Sequence, residues 1–179
     1  MRRIQTRGVQ ALTLRAVGED LGVSRTALYR HFQDKSALLA SVASEGFRLL
    51  RLSLVAAWDG GGHGREGFEA MGEAYVRFAI DNPAHYRVMF GGALNHRTPD
   101  SDLAREGASA FQVLVDALVA QQRDGLVRPD EPLLLARYIW AIVHGIAMLA
   151  IDGQLQHPHC DVDALARFAM ERVRAGIGA

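Results

Sequence analysis

Between Thr13 and Lys35, this 179-residue sequence contains a cluster of side chains suited to contact with DNA. Arginine can donate two parallel hydrogen bonds to a guanine edge, whereas hydroxyl, imidazole and ammonium groups reach phosphate oxygens. These groups act on a duplex only when a rigid element aligns them with a groove. The cluster comprises Thr13, Arg15, Ser24, Arg25, Thr26, Ala27, Tyr29, Arg30, His31 and Lys35.

The elements that must position this cluster are two short helices joined by a glycine. Thr13 is a candidate N-cap for the first helix, and Gly22 supplies the backbone freedom that a tight turn requires. Ser24 is a candidate N-cap for the second helix, where Ala27 and Leu28 begin an apolar edge. The pattern indicates a helix-turn-helix, although short amphipathic helices joined by glycine also occur in all-helical domains that bind no DNA.

Position along the second helix divides the expected DNA contacts into two kinds. The N-terminal end of such a helix enters the major groove, so Arg25, Thr26 and Ala27 are predicted to meet base edges, with Arg25 placed to bind a guanine. Arg30 belongs to the same outward edge. The residues predicted to hold phosphates are Tyr29, His31, Lys35 and, from the first helix, Thr13 or Arg15.

Four runs in this region form a long signature: LTLR at 12–15, LGVS at 21–24, ALYRHF at 27–32, and DK at 34–35 followed by two leucines. The signature closely resembles the N-terminal DNA-binding domain of the tetracycline-repressor (TetR) family. The resemblance implies an all-α, homodimeric transcriptional regulator that binds double-stranded DNA and a small-molecule effector.

The resemblance also implies a division into a helix-turn-helix head at residues 1–45 and an effector-binding and dimerisation body at residues 46–179. Family members carry a full helix before the stretch equivalent to Gly8–Leu12, but only Met1–Arg7 precede that stretch here. We therefore expect either a natural start farther upstream or a loosely ordered head.

The charge of the sequence is divided between these two parts. The formal net charge is zero, but residues 1–51 contain nine Lys and Arg against four Asp and Glu, whereas residues 52–179 contain eleven against sixteen. The positive field is confined to the predicted head, as expected for a protein that binds DNA with that part. The single cysteine, Cys160, excludes an internal disulfide and fits a reducing cytoplasm.

Apolar periodicity predicts a body made of helices. Gly60–Gly64 is expected to be a flexible break, and Gly125 is expected to end a helix. Asp130 is predicted to begin the most apolar helix, with Pro132 in its first turn. The predicted helices run from Ser36 to about Trp58, about Phe68 to Ala79, Pro83 to Phe90, about Leu103 to Leu118, about Glu131 to Asp152, and about Asp161 to Ala175.

Residues 133–151 are apolar nearly all round their predicted helix. Arg137 and His144 interrupt the run and no aromatic belt flanks it, so we interpret it as a buried helix rather than a membrane span. A helix apolar on both sides must be covered on both sides, and the resemblance implies that a second subunit covers one of them. The residues expected at the homodimer interface are Ala147, Ile151, Leu165, Phe168 and Ala169.

Trp140, His144 and Gly145 resemble the tryptophan-histidine-glycine (WHG) pattern of one subgroup of TetR bodies. His144 is a candidate to hydrogen-bond an effector; the alternative is a buried histidine satisfied by a neighbouring carbonyl. Gly145 is expected to permit close approach of another helix. Few charged residues occur among the candidate ligand-binding residues, and this predicts a largely apolar effector. The candidate ligand-binding residues, which as readily form ordinary core, are Tyr75, Phe78, Met89, Phe90, Phe111, Trp140, His144 and Met148.

No catalytic or metal-site pattern is recognisable in the sequence. A nucleophile elbow, a phosphate loop, HExxH and paired redox cysteines are all absent, so we predict neither an enzyme nor a cofactor. His157, His159 and Cys160 bear metal-binding groups but lack the separated ligand pairs of zinc sites, and Asp161 is a candidate helix cap. We interpret the chain as a cytoplasmic repressor released from a palindromic operator by its effector. The alternative is a helical small-molecule-binding protein with a non-functional head.

Overall fold

The computed structural model describes residues 13–22, 24–91, 101–155 and 161–179, and the predicted all-α fold is confirmed. The stretch before Thr13, where the first helix was expected to be short, lies outside these residues, as do His157, His159 and Cys160. The described helices are α1 Leu14–Leu21, α2 Arg25–His31, α3 Lys35–Gly60, α4 Arg65–Asp81, α5 Pro83–Phe90, α6 Asp102–Arg123, α7 Pro132–Ile151 and α8 Val162–Ile177.

Acidic N-caps define where α7 and α8 begin. As predicted, Asp161 caps α8, accepting hydrogen bonds from the backbone N–H of Asp163 at 2.9 Å and of Ala164 at 3.3 Å. The cap of α7 is Glu131 and not the predicted Asp130. Pro132 occupies the first helical position, so the residue directly before it becomes the cap and satisfies the unpaired amides of the first turn.

The chain folds into two compact units. The first contains the residues up to Phe47 together with Asn82–Gly107, and the second contains Arg48–Asp81 together with Ala108–Ala179. The predicted domains, residues 1–45 and 46–179, are each continuous in sequence, whereas these units are not, and that division stays a prediction. The sequence did not predict that α5 belongs with the N-terminal unit.

Close packing of α3 on α5 explains that assignment. A Cβ atom on Gly46 would lie 2.5 Å from Met89 Sδ, so a larger residue would require the Met89 side chain to shift. Next to it, the rings of Phe47 and Phe90 meet edge to face with centroids 5.3 Å apart. Tyr86, fully buried, completes the cluster beside Phe90. Side-chain packing thus joins helices that lie far apart in sequence.

In the second unit, α4 packs against both α7 and α8. Gly72 sets the distance to α8, because a Cβ atom there would lie 2.2 Å from Met170 Sδ. Phe68, Met71 and Val76 are buried on the same helix. The core of this unit is therefore built around α4.

Three ion pairs connect α4 to α8 and form what we call the α4–α8 ladder. Glu69 pairs with Arg174, Glu73 with Arg167 at 3.8 Å, and Arg77 with Asp163. Residues 69, 73 and 77 follow one another at the four-residue spacing that places side chains on one helix face, and their partners run in the opposite direction along α8. The ladder therefore favours an antiparallel arrangement in one register.

The glycine-rich stretch between α3 and α4 is an ordered turn and not the predicted flexible break. His63 adopts a left-handed backbone with φ of 62°, and its Nε2 lies 2.7 Å from Asp59 Oδ1. The imidazole also stacks on Trp58 with ring centroids 5.5 Å apart. Gln121 donates a hydrogen bond to the carbonyl of Gly64 at 3.2 Å. These side-chain contacts hold the turn.

Among the described residues, α7 is the one helix with the length and hydropathy of a membrane span. A single such helix is weak evidence, because the core helix of a soluble protein passes the same test. One side of α7, which includes Ile139, Val143 and Ala147, is buried inside the unit. The other side is exposed at Leu134 and Tyr138.

We expect Gly72→Ala to lower the free energy of unfolding by about 1–2 kcal/mol, because overpacking against Met170 costs more than the roughly 1 kcal/mol that alanine gains in a helix. Chemical denaturation followed by circular dichroism measures the change. Gly176→Ala is the matched control, since a Cβ atom there meets nothing within 4 Å. Equal effects at the two positions would contradict the packing argument.

Candidate functional site

The turn between α1 and α2 is built by local backbone chemistry. Gly22 ends α1 in the left-handed conformation, φ 65°, which a residue with a side chain rarely adopts. Thr13 Oγ1 accepts from the N–H of Ala16 at 3.1 Å, and Ser24 Oγ accepts from the N–H of Ala27 at 3.2 Å. The two helices pack on each other. Both predicted caps are therefore present in a helix-turn-helix arrangement.

Most of the predicted DNA-contacting side chains on α2 are exposed. Thr26, Arg30 and His31 lie at the surface, and the phenol of Tyr29 is 46% exposed. Ala27 is half-buried, as expected for a residue on the apolar edge. The side chain of Arg25 lies outside the described part of the chain. A surface with hydroxyl, guanidinium and imidazole groups on one helix can donate hydrogen bonds to a nucleic acid.

Residues beside α2 complete this surface. Lys35 is the first residue of α3 and is half-buried, next to Asp34, whose carboxylate accepts from the N–H of Ala37 at 2.8 Å. On α1, the exposed Arg15 pairs with Glu19 at 3.0 Å. A phosphate bound by Arg15 would have to compete with that carboxylate, which makes Arg15 a weaker candidate than Thr13 beside it.

In the second unit, three of the predicted ligand-binding residues meet at one atom, the hydroxyl oxygen of Tyr75. Trp140 Nε1 donates to it at 2.9 Å, and His144 Nδ1 lies 3.2 Å from it. The ring of Phe111 packs edge-on against Trp140 with centroids 5.9 Å apart. We call Tyr75, Trp140 and His144 the hydroxyl triad. The sequence left open whether His144 meets an effector or a neighbouring carbonyl, and it did not predict the contact with the Tyr75 phenol.

The remaining ligand candidates are divided between the two units. Phe78 is buried on α4 and Met148 is half-buried on α7, both in the unit of the hydroxyl triad. Met89 and Phe90 belong to the other unit, where they pack on Gly46 and on Phe47. Their described contacts are those of core residues.

Burial controls the protonation of two histidines. Desolvation lowers the pKa of His144 below its ordinary value, because removal from water penalises the imidazolium. In the first unit, burial is also the main reason why the pKa of His85 is lowered, although nearby Glu45 opposes the shift. Both effects favour the neutral rings.

The exposed sides of α7 and α8 contain large apolar side chains. Leu134 is 66% exposed, Tyr138 52%, Leu149 47% and Phe168 56%. Arg172 lies over the Phe168 ring, 5.4 Å from its centroid. Exposed residues of this size are typical of a surface that another molecule covers.

One predicted interface residue does not lie on this surface. Ala147 is fully buried, because it follows Ile139 and Val143 at four-residue spacing on the inner side of α7. Ile151, Leu165 and Ala169 are half-buried. A Cβ atom on Gly145 would meet nothing within 4 Å, so no helix of the described chain approaches it closely, and the predicted close approach of another helix stays a prediction.

Two family models match this chain over most of its length. One, the tetracyclin repressor-like C-terminal domain, matches residues 68–173, and the other, bacterial regulatory proteins of the tetR family, matches residues 1–42. The first match alone spans more than half of the sequence. The chain belongs to the TetR family. TetR-family regulators bind DNA, and the predicted helix-turn-helix head is confirmed.

Solved structures share this TetR-family fold over nearly the whole chain. A protein of unknown function from Rhodococcus sp. RHA1 is 29% identical with a TM-score of 0.87, and the match covers 99% of this chain and 91% of that one. A tetR-family regulatory protein from Rhodococcus RHA1 is 22% identical, with a TM-score of 0.72 and coverage of 99% and 92%.

A third structure, the TetR-family transcriptional regulator PfmR from Thermus thermophilus, is 18% identical with a TM-score of 0.76, and the match covers 97% and 93% of the two chains. At this identity the likeness concerns the fold. No curated protein sequence matches the chain.

Some residues in important positions of the structure carry little or no recognisable signal in the sequence. The α4–α8 ladder was visible in part, because Glu69, Glu73 and Arg77 recur at four-residue spacing, but their partners on α8 could not be assigned. Gly46 and Gly72 carried no distinguishing signal among the glycines of the sequence. Exposed Tyr138 was likewise indistinguishable from its buried neighbours on an all-apolar helix.

The lowered pKa of His144 predicts that stability falls as the pH is reduced. Above pH 6.5 the imidazole is neutral in both the folded and the unfolded chain; below it the unfolded chain takes up a proton first and is favoured. The unfolding free energy should therefore decrease between pH 7.5 and 5, and less steeply in His144→Gln. Met148→Leu, one turn away without a titrating group, should retain the full slope. Identical slopes in the wild type and His144→Gln would contradict this cause.

Proposed function

We propose that this TetR-family protein is a homodimeric transcriptional repressor whose two heads bind the half-sites of a near-palindromic operator. The observation that carries the proposal is the exposed edge of α2, with Thr26, Tyr29, Arg30 and His31 presented behind a glycine turn. In this arrangement the start of α2 enters the major groove, and Arg25 binds a guanine edge. Tyr29, His31 and Lys35 hold phosphates on either side of the contacted bases.

The exposed sides of α7 and α8 support the homodimer. Leu134, Tyr138 and Phe168 expose large apolar surfaces that pairing with an identical surface removes from water. Ile151, Leu165 and Ala169 lie at the half-buried margin of the same surface. A two-fold dimer brings the two recognition helices about 34 to 36 Å apart, which matches successive major grooves on one side of the duplex.

A small, largely apolar effector completes the proposed mechanism. The hydroxyl triad and Phe111 combine aromatic surface with a few polar atoms, which is the composition of sites for small apolar molecules. An effector that binds better to a body conformation with a different head spacing shifts the population away from the DNA-bound form. We propose that this occurs in the cytoplasm, where the operator DNA is located.

We expect Tyr29→Ala to weaken binding to every duplex by about ten-fold, because one phosphate contact of roughly 1.4 kcal/mol is lost. Arg25→Ala should in addition reduce the preference for one base pair by about 1–3 kcal/mol. Operators selected from a random duplex library, and a shuffled duplex, are titrated by fluorescence anisotropy.

Val119→Ala, an exposed substitution on α6, is the control and should leave both affinities unchanged. If Arg25→Ala weakens selected and shuffled duplexes equally, its role in reading bases is wrong. If the wild type selects no sequence at all, the chain is better explained as a small-molecule-binding protein without a DNA-binding function.

We expect Tyr138→Asp to convert the dimer to a monomer, because a buried carboxylate without a partner costs several kcal/mol at an apolar interface. Sedimentation equilibrium measures the mass. Val119→Asp places the same charge on a comparably exposed residue of α6 and should remain dimeric. A wild-type chain that sediments as a monomer at micromolar concentration, or a dimer that survives Tyr138→Asp, would contradict the proposed interface.

A further inference from the structure

The hydroxyl triad has an order of donors and acceptors that follows from its chemistry. The indole nitrogen of Trp140 can only donate, so the Tyr75 oxygen accepts at 2.9 Å. The imidazole nitrogen Nδ1 of His144 lies 3.2 Å from the same oxygen. A neutral imidazole donates from one ring nitrogen and accepts at the other, so the hydrogen between Tyr75 and His144 comes from one of the two residues.

Polarisation favours Tyr75 as the donor. A hydroxyl group that accepts a hydrogen bond becomes a stronger donor, and this effect is larger where water is excluded. The Tyr75 side chain is only 6% exposed, and Trp140 donates to it from α7. This polarisation favours hydrogen bonding from Trp140 to the Tyr75 hydroxyl and from that hydroxyl to His144 Nδ1.

We propose that Trp140 and Tyr75 are positioning residues that hold His144 as the neutral tautomer with its proton on Nε2. In that tautomer Nε2 is the donor of the ring, so the group that it meets, whether of this chain or of an effector, has to be an acceptor. An effector contacting Nε2 would be recognised through an uncharged acceptor, such as a carbonyl or ether oxygen. This inference deepens the proposed effector site and relies on it for its biological meaning, whereas the state of the ring can be measured without an effector.

The surroundings of His144 agree with a neutral ring. Tyr75 on α4 faces the imidazole, and the ring of Trp140 lies beside it with centroids 5.6 Å apart. Burial among these groups is the cause that lowers the pKa of His144. Removal from water therefore acts in the same direction as the hydrogen bond from Tyr75, since a ring that accepts at Nδ1 must be uncharged.

Nitrogen-15 NMR of histidine-labelled full-length protein tests the inference directly. Two-bond correlation spectra distinguish the cation and both neutral tautomers by their pairs of nitrogen shifts, and His144→Gln assigns the resonance. At pH 7.5 we expect the Nε2–H tautomer in the wild type. Trp140→Phe and Tyr75→Phe should each raise the share of the Nδ1–H tautomer at least two-fold, because that form is the minor one of a free imidazole and the hydrogen bond from Tyr75 suppresses it further. Phe111→Leu, which removes a packed ring but no hydrogen bond, should leave it unchanged.

A wild-type spectrum with the proton on Nδ1, or with a cationic ring, would overturn the inference whether or not the variants fold. So would a tautomer population that neither Trp140→Phe nor Tyr75→Phe alters, provided that circular dichroism shows them helical. Neither DNA nor effector enters the measurement. A chain that fails to bind DNA therefore refutes the proposed function and leaves the proposed tautomer of His144 unaffected. An unexpected tautomer refutes only the proposed roles of Trp140 and Tyr75.

Discussion

The close approach of α4 to its neighbours is the constraint on which the second unit depends. At Gly72 the backbone of α4 comes so near α8 that even a methyl group would overlap Met170. That distance brings the helix surfaces into register, so that the α4–α8 ladder can form along one side. Exposed ion pairs each stabilise weakly, and their role here is to favour one alignment over others.

Helix α7 contributes to two surfaces at once, the core of the second unit and the exposed outside of that unit. Its inner side contributes Ile139, Val143 and Ala147 to the core, and its outer side exposes Leu134 and Tyr138. Composition cannot separate these sides, because both are apolar. Position along the helix separates the two sides, since residues four apart share a face and residues two apart do not.

The hydroxyl triad shows how one buried polar atom connects two helices. Tyr75 lies on α4, and two of its partners, Trp140 and His144, lie one turn apart on α7. A tyrosine buried in an apolar core needs partners for its hydroxyl, and an unsatisfied one would cost about 1–3 kcal/mol. The same hydrogen bonds that stabilise the core also orient the imidazole, so the structural role of His144 and its proposed role in effector recognition coincide.

The sequence by itself determined the helix-turn-helix and the family, because caps, glycine turns and short signatures act between residues close in the chain. Thr13, Gly22 and Ser24 were assigned correctly for that reason. Only the tertiary structure decided that α5 joins the N-terminal unit, that Ala147 is core, and that Tyr75 is the partner of His144. Each of these depends on contact between helices distant in sequence, where periodicity reports how apolar a face is but not which helix covers it.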